Sequence, residues 1–344
     1  MKSFASEKPS LIVIKKPKTH DMKKVSYMIL FLFLIQNAKS QQLLMKSIGT
    51  SAINQGVKTI RTSDNGFAIL SNSTEIISGS SKNFDITKFN EQGNIEWSKT
   101  YGSSQEEYGN DLIQTRDGGY VVVGYFFSTV NDFNGFILKI DSSGDIKWSK
   151  YKTSKTMFYS VRQSTDGSLI IVGSKSNSSA PIASGLAVRI DESGNTLWSK
   201  NYNLSISNKF TKFTEIAIAS NNSFYVTGIY GSGPNDYNQF ITNLNSSGDT
   251  NFVVSLNTGY AFAETIKLSS NSIFVGGQII DGSNNSFGLI TKLDLNGNLQ
   301  WNKQLGNIGE NYKVSSLSLF ENNPIVTFQS QFGNLPNGVV LKID

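Results

Sequence analysis

The sequence predicts an all-β fold assembled from a repeated unit of about 50 residues, and three observations support this prediction. One phrase recurs along the chain with Gly followed four positions later by an aromatic residue, as in Gly93-Asn-Ile-Glu-Trp97-Ser-Lys. Each unit contains short runs in which apolar and polar residues alternate. Turns rich in Asp, Gly, Asn and Ser separate these runs. Short alternating runs bounded by such turns are typical of β-strands in hairpins.

The aromatic position of this phrase sets the length of the unit. It is occupied five times, by Trp97, Trp148, Trp198, Phe252 and Trp301, at spacings of 51, 50, 54 and 49 residues. A large flat side chain on the outer strand of each unit suits packing against the neighbouring unit. We therefore interpret the tryptophans as core residues rather than as a platform for sugars.

Counting the strand phrases gives six units. The second-strand phrase occurs at residues 66–70, 120–124, 168–173, 223–228, 272–276 and 324–328. The third-strand phrase occurs at residues 84–89, 136–140, 186–190, 240–244, 289–293 and 339–343. Four strands per unit of this length is the pattern of a propeller blade. The sequence thus predicts a six-bladed β-propeller with four antiparallel strands per blade, since a seven-bladed ring would need a further unit.

The fourth strand of the last blade has its counterpart at the other end of the chain. Leu43-Leu-Met-Lys-Ser-Ile-Gly49 aligns with Trp97-Ser-Lys-Thr-Tyr-Gly102 in the Lys and in the closing Gly. We expect residues 43–48 to be the N-terminal strand that closes the last blade, which would leave no frayed strand edge at that junction.

A leader precedes this domain. Residues 22–40 have the pattern of a secretory signal peptide, with Lys23 and Lys24 before an apolar run and Ala38-Lys39-Ser40 at the cleavage position. The apolar run, residues 28–35, is too short to span a bilayer, although a membrane anchor is the competing interpretation. We expect cleavage near Ser40 and a secreted protein, either periplasmic or extracellular.

The predicted domain boundaries follow from this leader. Residues 1–21 are expected to be a dispensable or mis-started extension. Residues 41–344 are expected to form a single propeller domain that is a monomer and has no membrane span.

Composition excludes several classes of function. Residues 1–40 hold eight Lys against Glu7 and Asp21, so removing their net +6 from the chain's +5 leaves about −1. A nearly neutral mature chain gives no reason to expect nucleic acid as a partner. The one His of the sequence, His20, lies in the leader, and Cys is absent. Catalysis by Ser-His-Asp or Cys-His, zinc sites built from His or Cys, and disulfides are therefore excluded. We predict no catalytic residue, no metal and no cofactor.

The Asp-rich turns have two interpretations. Carboxylate and amide oxygens suit calcium, but turns such as Asp141-Ser-Ser-Gly144 lack the ligand spacing of a calcium loop. Asp and Gly are also the residues that tight turns require. We interpret these turns as structural.

The stretch from Trp97-Ser-Lys-Thr-Tyr-Gly to Arg116-Asp-Gly-Gly-Tyr-Val-Val-Val-Gly124 resembles the uncharacterised propeller repeats of many secreted and surface proteins of bacteria. The resemblance covers residues 42–344 and implies the architecture, but it is nearly silent on function. Asp141-Ser-Ser-Gly-Asp-Ile-Lys-Trp148 is also similar to the tryptophan-docking motif of quinoproteins, but it is one residue short. The Asp-box of sialidases differs in its offsets as well.

One face of the predicted propeller carries long, irregular loops, and variation among otherwise repeated units marks where function can lie. Aromatic rings beside carboxylates suit a carbohydrate or a protein loop. The predicted ligand-binding residues on this face are Phe127, Asp132, Phe133, Tyr230, Asp236, Tyr237 and Asp281.

Two functions remain open at this stage. The first is a non-catalytic binding or scaffold module for a carbohydrate or protein partner. The alternative is a carboxylate-dependent carbohydrate-active enzyme, a glycoside hydrolase or lyase, because paired Asp and Glu need no other side chain to cleave a glycosidic bond.

Overall fold

The computed structural model of the chain describes residues 53–343 except 75–81, 130–131, 154, 178–179, 204–209, 233–235, 257–259, 308–310 and 333–334. Within these ranges every regular element is a β-strand and there is no helix. Accordingly, the described part of the chain has no helix that is long and apolar enough to cross a membrane. The predicted leader, the predicted extension and the closing strand at residues 43–48 lie outside the described residues.

The strands form six antiparallel sheets, each built from consecutive strands. Blade 1 consists of β1 (Ile53–Arg61), β2 (Phe67–Thr74), β3 (Lys82–Phe89) and β4 (Ile95–Tyr101). Blade 2 consists of β5 (Glu106–Gln114), β6 (Tyr120–Thr129), β7 (Asp132–Ile140) and β8 (Ile146–Lys152). Blade 3 consists of β9 (Thr156–Gln163), β10 (Leu169–Asn177), β11 (Ala180–Ile190) and β12 (Thr196–Tyr202).

The remaining sheets follow the same order. Blade 4 consists of β13 (Phe210–Ile218), β14 (Phe224–Gly231), β15 (Tyr237–Leu244) and β16 (Thr250–Leu256). Blade 5 consists of β17 (Ala261–Leu268), β18 (Ser272–Ile280), β19 (Ser286–Asp294) and β20 (Leu299–Leu305). Blade 6 consists of β21 (Asn311–Phe320), β22 (Asn323–Phe332) and β23 (Leu335–Lys342). The predicted six-bladed all-β propeller is confirmed, and three strands of its sixth blade lie in the described ranges.

Apolar cores lie between neighbouring blades. Five buried clusters join blade 1 to 2, 2 to 3, 3 to 4, 4 to 5 and 5 to 6. The aromatic residue of each repeated phrase packs against one of these clusters: Trp97, Trp148, Trp198, Phe252 and Trp301. The interpretation of the tryptophans as packing residues is confirmed.

Trp97, Trp148 and Trp198 are each matched to a glycine of the following blade. Trp97 Nε1 donates a hydrogen bond to the Ser142 carbonyl at 3.0 Å, in the turn between β7 and β8. In the same turn Gly144 has φ +82°, and a Cβ there would lie 3.1 Å from the Trp97 ring. The Tyr101 hydroxyl also donates to the Gly144 carbonyl at 2.7 Å. Gly and Trp recur together because the ring of one blade lies on the glycine of the next.

The Asp residues of the turns serve the backbone. Asp141 Oδ1 accepts the amide protons of Ser143 and Asp145, both at 2.9 Å. In the turn between β5 and β6, Asp117 Oδ1 accepts a hydrogen bond from the Gly119 amide at 3.1 Å. Asp117 also forms an ion pair with buried Lys139, whose Nζ lies 2.7 Å from the same oxygen. These contacts agree with the structural interpretation of the turns.

Candidate binding site in the central channel

The innermost strand of every blade carries a β-bulge at the same place. The residues without a cross-strand partner are Val57, Asn110, Tyr159, Thr214, Glu264 and Ser315. A bulge turns two successive side chains toward one side of a strand and is frequent next to functional sites. Here the second side chains of the pairs are Lys58, Asp111, Ser160, Glu215, Thr265 and Ser316, and all twelve residues line one central cavity.

A repeated glycine accommodates the bulge. Gly124 on β6 lies opposite the kinked part of β5, where a Cβ would be 1.9 Å from the Tyr108 carbonyl oxygen. Gly228 on β14 is equally close to the Lys212 carbonyl, at 2.0 Å. In blades 2, 3 and 4, the Gly that ends the second-strand phrase therefore leaves room for a carbonyl of the inner strand.

The central cavity has a volume of about 520 Å³. All six blades contribute to its wall, which consists mainly of hydroxyl, amide and charged side chains. Tyr159 supplies an aromatic ring, and Asn110 supplies an amide. A polar cavity of this size lies within the usual range for small-molecule sites, roughly 300 to 1,000 Å³.

A network of ion pairs forms the floor of this cavity. Arg162 on β9 reaches both neighbouring blades, with Nη1 2.6 Å from Asp111 Oδ2 and Nη2 2.5 Å from Glu215 Oε1. Lys58 Nζ lies 3.3 Å from Asp111 Oδ1, and Lys267 Nζ lies 3.3 Å from Glu215 Oε1. Three basic groups thus neutralise two carboxylates whose side chains are 3% and 8% exposed.

Backbone amides complete the partners of both carboxylates. Asp111 accepts the Val161 amide at 3.0 Å and the Ser160 hydroxyl at 2.9 Å. Glu215 accepts the Ile266 amide at 2.7 Å. An inner strand is the edge of its sheet, so its outward amides need partners from elsewhere. Each carboxylate therefore links its own blade to the next one.

These contacts set the charge state of the floor. Burial alone would raise the pKa of Asp111, but the nearby Arg162 and Lys58 and the Val161 amide outweigh burial and lower that pKa to about 2. Burial likewise opposes ionisation of Glu215, yet Arg162, Lys267 and Lys58 lower its pKa below the usual range. Both groups are ionised at neutral pH.

Above the floor lies a second group of charges, toward the start of the inner strands. Lys313 Nζ is 3.0 Å from Glu264 Oε1. Lys212 Nζ lies 4.1 Å from the centre of the Tyr159 ring, as a cation–π contact. Burial and the neighbouring Lys313 lower the pKa of Lys212, although Glu264 opposes that effect. This upper group and the floor together hold five basic side chains against three carboxylates.

Two aromatic clusters lie near the start of the inner strands, one on blade 2 and the other between blades 4 and 5. The first aromatic cluster belongs to blade 2 and contains Tyr108, Tyr125, Phe127 and Phe133. The second joins blades 4 and 5 and contains Phe210, Tyr237, Tyr260 and Phe262. Tyr108 and Phe262 each precede a bulge residue by two positions, so they lie about 7 Å along the strand from the bulges.

The first aromatic cluster brings two predicted ligand-binding residues together. The rings of Phe127 and Phe133 are 6.3 Å apart. Asp132 lies beside them, but its Oδ2 accepts the Ser128 hydroxyl at 2.9 Å and thereby supports the loop.

The other predicted residues lie apart from the first cluster. Tyr237 belongs to the second cluster, and the Tyr230 hydroxyl lies 2.6 Å from Ser255 Oγ. Asp236 accepts the Ser232 amide at 3.1 Å. Asp281 accepts the Ser283 amide at 2.8 Å in the turn between β18 and β19. That these residues contact a ligand stays a prediction.

The channel residues were missed by the sequence interpretation, which looked to the loops. A signal was present, because Lys58, Asp111, Arg162, Glu215 and Lys267 are charged residues within strands that otherwise read as buried. Charged residues at matching positions of innermost strands must face one another around the axis. Glu264, near the start of the inner strand β17, also lines the cavity. No group of three or more acidic or other metal-ligating residues suited to a metal occurs in the described ranges.

The sequence matches no family model and no curated protein. Among solved structures it is similar to a protein of unknown function from Dyadobacter fermentans, with a TM-score of 0.56 and 12% identity over 85% of this chain and 94% of that one. It is also similar to an α-L-arabinofuranosidase from Fusarium graminearum, with a TM-score of 0.53 and 10% identity over 84% of this chain and 93% of that one. At such identities these similarities show a shared fold and nothing about activity.

Proposed function

We propose that the protein is an exported, non-catalytic binding module that takes a carbohydrate into its central channel from the irregular loop face. The observation that carries this proposal is the cavity of about 520 Å³ with hydroxyl, amide and charged groups from all six inner strands. A sugar needs many hydrogen-bond partners at once, and such a wall provides them.

The surroundings of the channel support the same ligand class. Tyr159 offers a ring inside the cavity, and the two aromatic clusters lie near the start of the inner strands. The apolar face of a pyranose stacks on such rings, while its hydroxyl groups need polar partners. The clusters would hold further residues of an oligosaccharide that leaves the channel.

A second candidate is a carboxylate-dependent carbohydrate-active enzyme. Asp111 Oδ1 and Glu215 Oε1 lie 3.3 and 3.8 Å from the same Lys58 Nζ, so these oxygens are no farther apart than the carboxyl groups of glycosidases, which are separated by roughly 5 to 9.5 Å. A glycosidase also needs one carboxyl that stays protonated, with a raised pKa. Both pKa values are lowered here. This charge state favours binding over hydrolysis.

The test is a glycan array with the purified protein, followed by calorimetric titration of the best oligosaccharides. Replacing Tyr159→Ala should weaken binding by about tenfold, because it removes a stacking surface in the cavity. Ser315→Trp, which fills the cavity from blade 6, should abolish binding. Tyr151→Ala is the matched control, since Tyr151 is 70% exposed on an outer strand. An array without bound glycans, or channel variants that bind like the original protein, would overturn the proposal.

Hydrolysis is tested on the same ligands by measuring the release of reducing ends. Binding without turnover is the expected result. Turnover that is lost in both Asp111→Asn and Glu215→Gln, with the fold intact, would establish the enzyme instead.

A further inference from the structure

Lys212 stands out among the buried basic side chains. Lys88, Lys139 and Arg162 each lie within 2.7 Å of a carboxylate oxygen. Among the described residues, no carboxylate lies within 4.0 Å of Lys212 Nζ, and its close contact is the Tyr159 ring at 4.1 Å. A half-buried ammonium group without a carboxylate is costly unless something else supplies negative charge.

The neighbours of Lys212 supply one negative charge, which Lys313 shares. They come from three inner strands: Tyr159 on β9, Glu264 on β17 and Lys313 on β21. Glu264 is engaged by Lys313 at 3.0 Å, so this side of the channel holds two ammonium groups and one carboxylate. One further negative charge would balance it.

Lys212 lies close to the wall of the central cavity. It precedes the bulge residue Thr214 by two positions, and the strand continues into the cavity wall. A group bound at Lys212 would therefore lie at the channel mouth, above hydroxyl groups such as those of Thr214 and Thr265. A ligand with one acidic group would balance the charge of Lys212, and many hydroxyl groups on the same ligand would pair with the polar wall of the cavity.

We infer that the channel binds an acidic glycan, whose carboxylate or sulfate lies between Lys212 and Lys313 while its sugar ring occupies the polar cavity. This inference rests on the proposed carbohydrate function and names the class of sugar. Lysine ammonium groups bind both kinds of anion as point charges. Experiment must therefore distinguish a carboxylated sugar from a sulfated one.

The experiment is a calorimetric titration at 0.15 M NaCl with four disaccharides: a hexuronic acid disaccharide, its methyl ester, a sulfated disaccharide and a neutral one. The ester keeps the shape of the acid and removes only its charge. We expect the protein to bind an acidic ligand at least tenfold more tightly than its neutral counterpart, as a charged hydrogen bond implies. The preferred acid identifies the source of the anion.

Three variants locate the effect. Lys212→Met should remove the preference for the acid over its methyl ester. Lys212→Arg keeps the charge and should retain part of the preference. Lys292→Met is the matched control, because Lys292 also lies over a ring, that of Phe274 at 5.5 Å, but on β19 of blade 5. It should behave like the original protein.

The outcomes separate the two proposals. Equal affinity for charged and neutral disaccharides would overturn the inference while the carbohydrate function stands. A preference that survives in a folded Lys212→Met variant would also overturn it. If none of the four disaccharides and no glycan on the array binds, the carbohydrate function fails, and the inference fails with it.

Discussion

Lys58 Nζ and Glu215 Oε1 are 3.8 Å apart, although they belong to blades 1 and 4. These blades stand opposite each other in a ring of six, so the contact crosses the propeller axis. Arg162 joins the same carboxylate to Asp111 of blade 2. With Lys267 of blade 5, which also pairs with Glu215, side chains from five blades form the floor of the cavity. The floor therefore connects these blades as well as bounding a site.

Removing Arg162 should destabilise the protein strongly. Arg162→Met leaves the buried carboxylates of Asp111 and Glu215 without their closest cation, and breaking a buried pair in this way costs about 3 to 5 kcal/mol. Urea unfolding measures the change. Lys99→Met is the control, because its ion pair with Asp145 lies at the surface and should contribute less than about 1 kcal/mol. A similar loss in both variants would contradict a structural role for the floor.

The floor should also make stability depend on pH in the acid range. The pKa of Asp111 is lowered to about 2 in the folded protein, against about 3.9 in an unfolded chain. Its contribution, on the order of 2 kcal/mol, is complete at neutral pH and is lost progressively as the pH falls from about 5 to about 2. Glu215 acts in the same direction.

Urea unfolding between pH 7 and pH 2 tests this dependence. Asp111→Asn should be less stable at neutral pH and should lose less stability on acidification than the original protein. An unchanged slope between pH 4 and pH 2 in this variant would assign the acid sensitivity to other carboxylates.

The match between glycine and tryptophan gives a third prediction. Gly144→Ala should cost about 1 to 3 kcal/mol, because the new Cβ meets the Trp97 ring and the backbone has φ +82°. Gly282→Ala is the matched control. A Cβ at Gly282 has no atom within 4 Å, so the change should stay within about 0.5 kcal/mol. Thermal unfolding distinguishes the two, and equal melting temperatures would show that the glycine is not needed.

The blades could be predicted from sequence because each repeats the same local chemistry. Turn residues and alternation define the strands, and the spacing of Trp97 from its counterparts defines the unit. The structural roles of the repeated Gly and Lys residues could not be predicted from the sequence. Gly144 serves a ring of the preceding blade, and Lys139 reaches back to Asp117 in its own blade. The contact of Gly144 with the preceding blade becomes apparent only when the two blades are placed side by side.

The channel could not be predicted in the same way. Asp111, Arg162 and Glu215 are about 50 residues apart in sequence, and a charged residue in one strand does not show which charge of another strand it meets. Only ring closure brings them within hydrogen-bond distance. The bulges could not be predicted by counting alternating apolar and polar residues. One extra residue in a strand moves the side chains that follow it to the opposite face of the sheet. The loop aromatics were easier to find because Phe127 and Phe133 are close in sequence.

Export gives a fourth prediction. Residues 22–40 have a signal-peptide pattern, so the protein recovered outside the cytoplasm should begin at Gln41. Mass spectrometry of the mature N-terminus checks this, with Ala38→Leu as a variant that blocks cleavage. Protein retained with residues 22–40 at the membrane would favour the anchor interpretation.

The last blade should depend on residues 43–48 as its fourth strand. In blade 5, Ile290 and Thr291 of β19 are fully buried beside β20. The matching residues of β23 are Val340 and Leu341, which are 66% and 38% exposed. A fourth strand on this edge would cover them.

Deleting residues 41–50 should therefore lower the melting temperature by roughly 5 °C or more, since two apolar side chains lose their cover and a strand edge is left unpaired. A protein that lacks only residues 1–40 is the control and should keep its stability. Adding a synthetic peptide of residues 41–50 to the shortened protein should restore part of the loss, because the strand binds an existing edge. An unchanged melting temperature after the deletion would refute closure by the N-terminal strand.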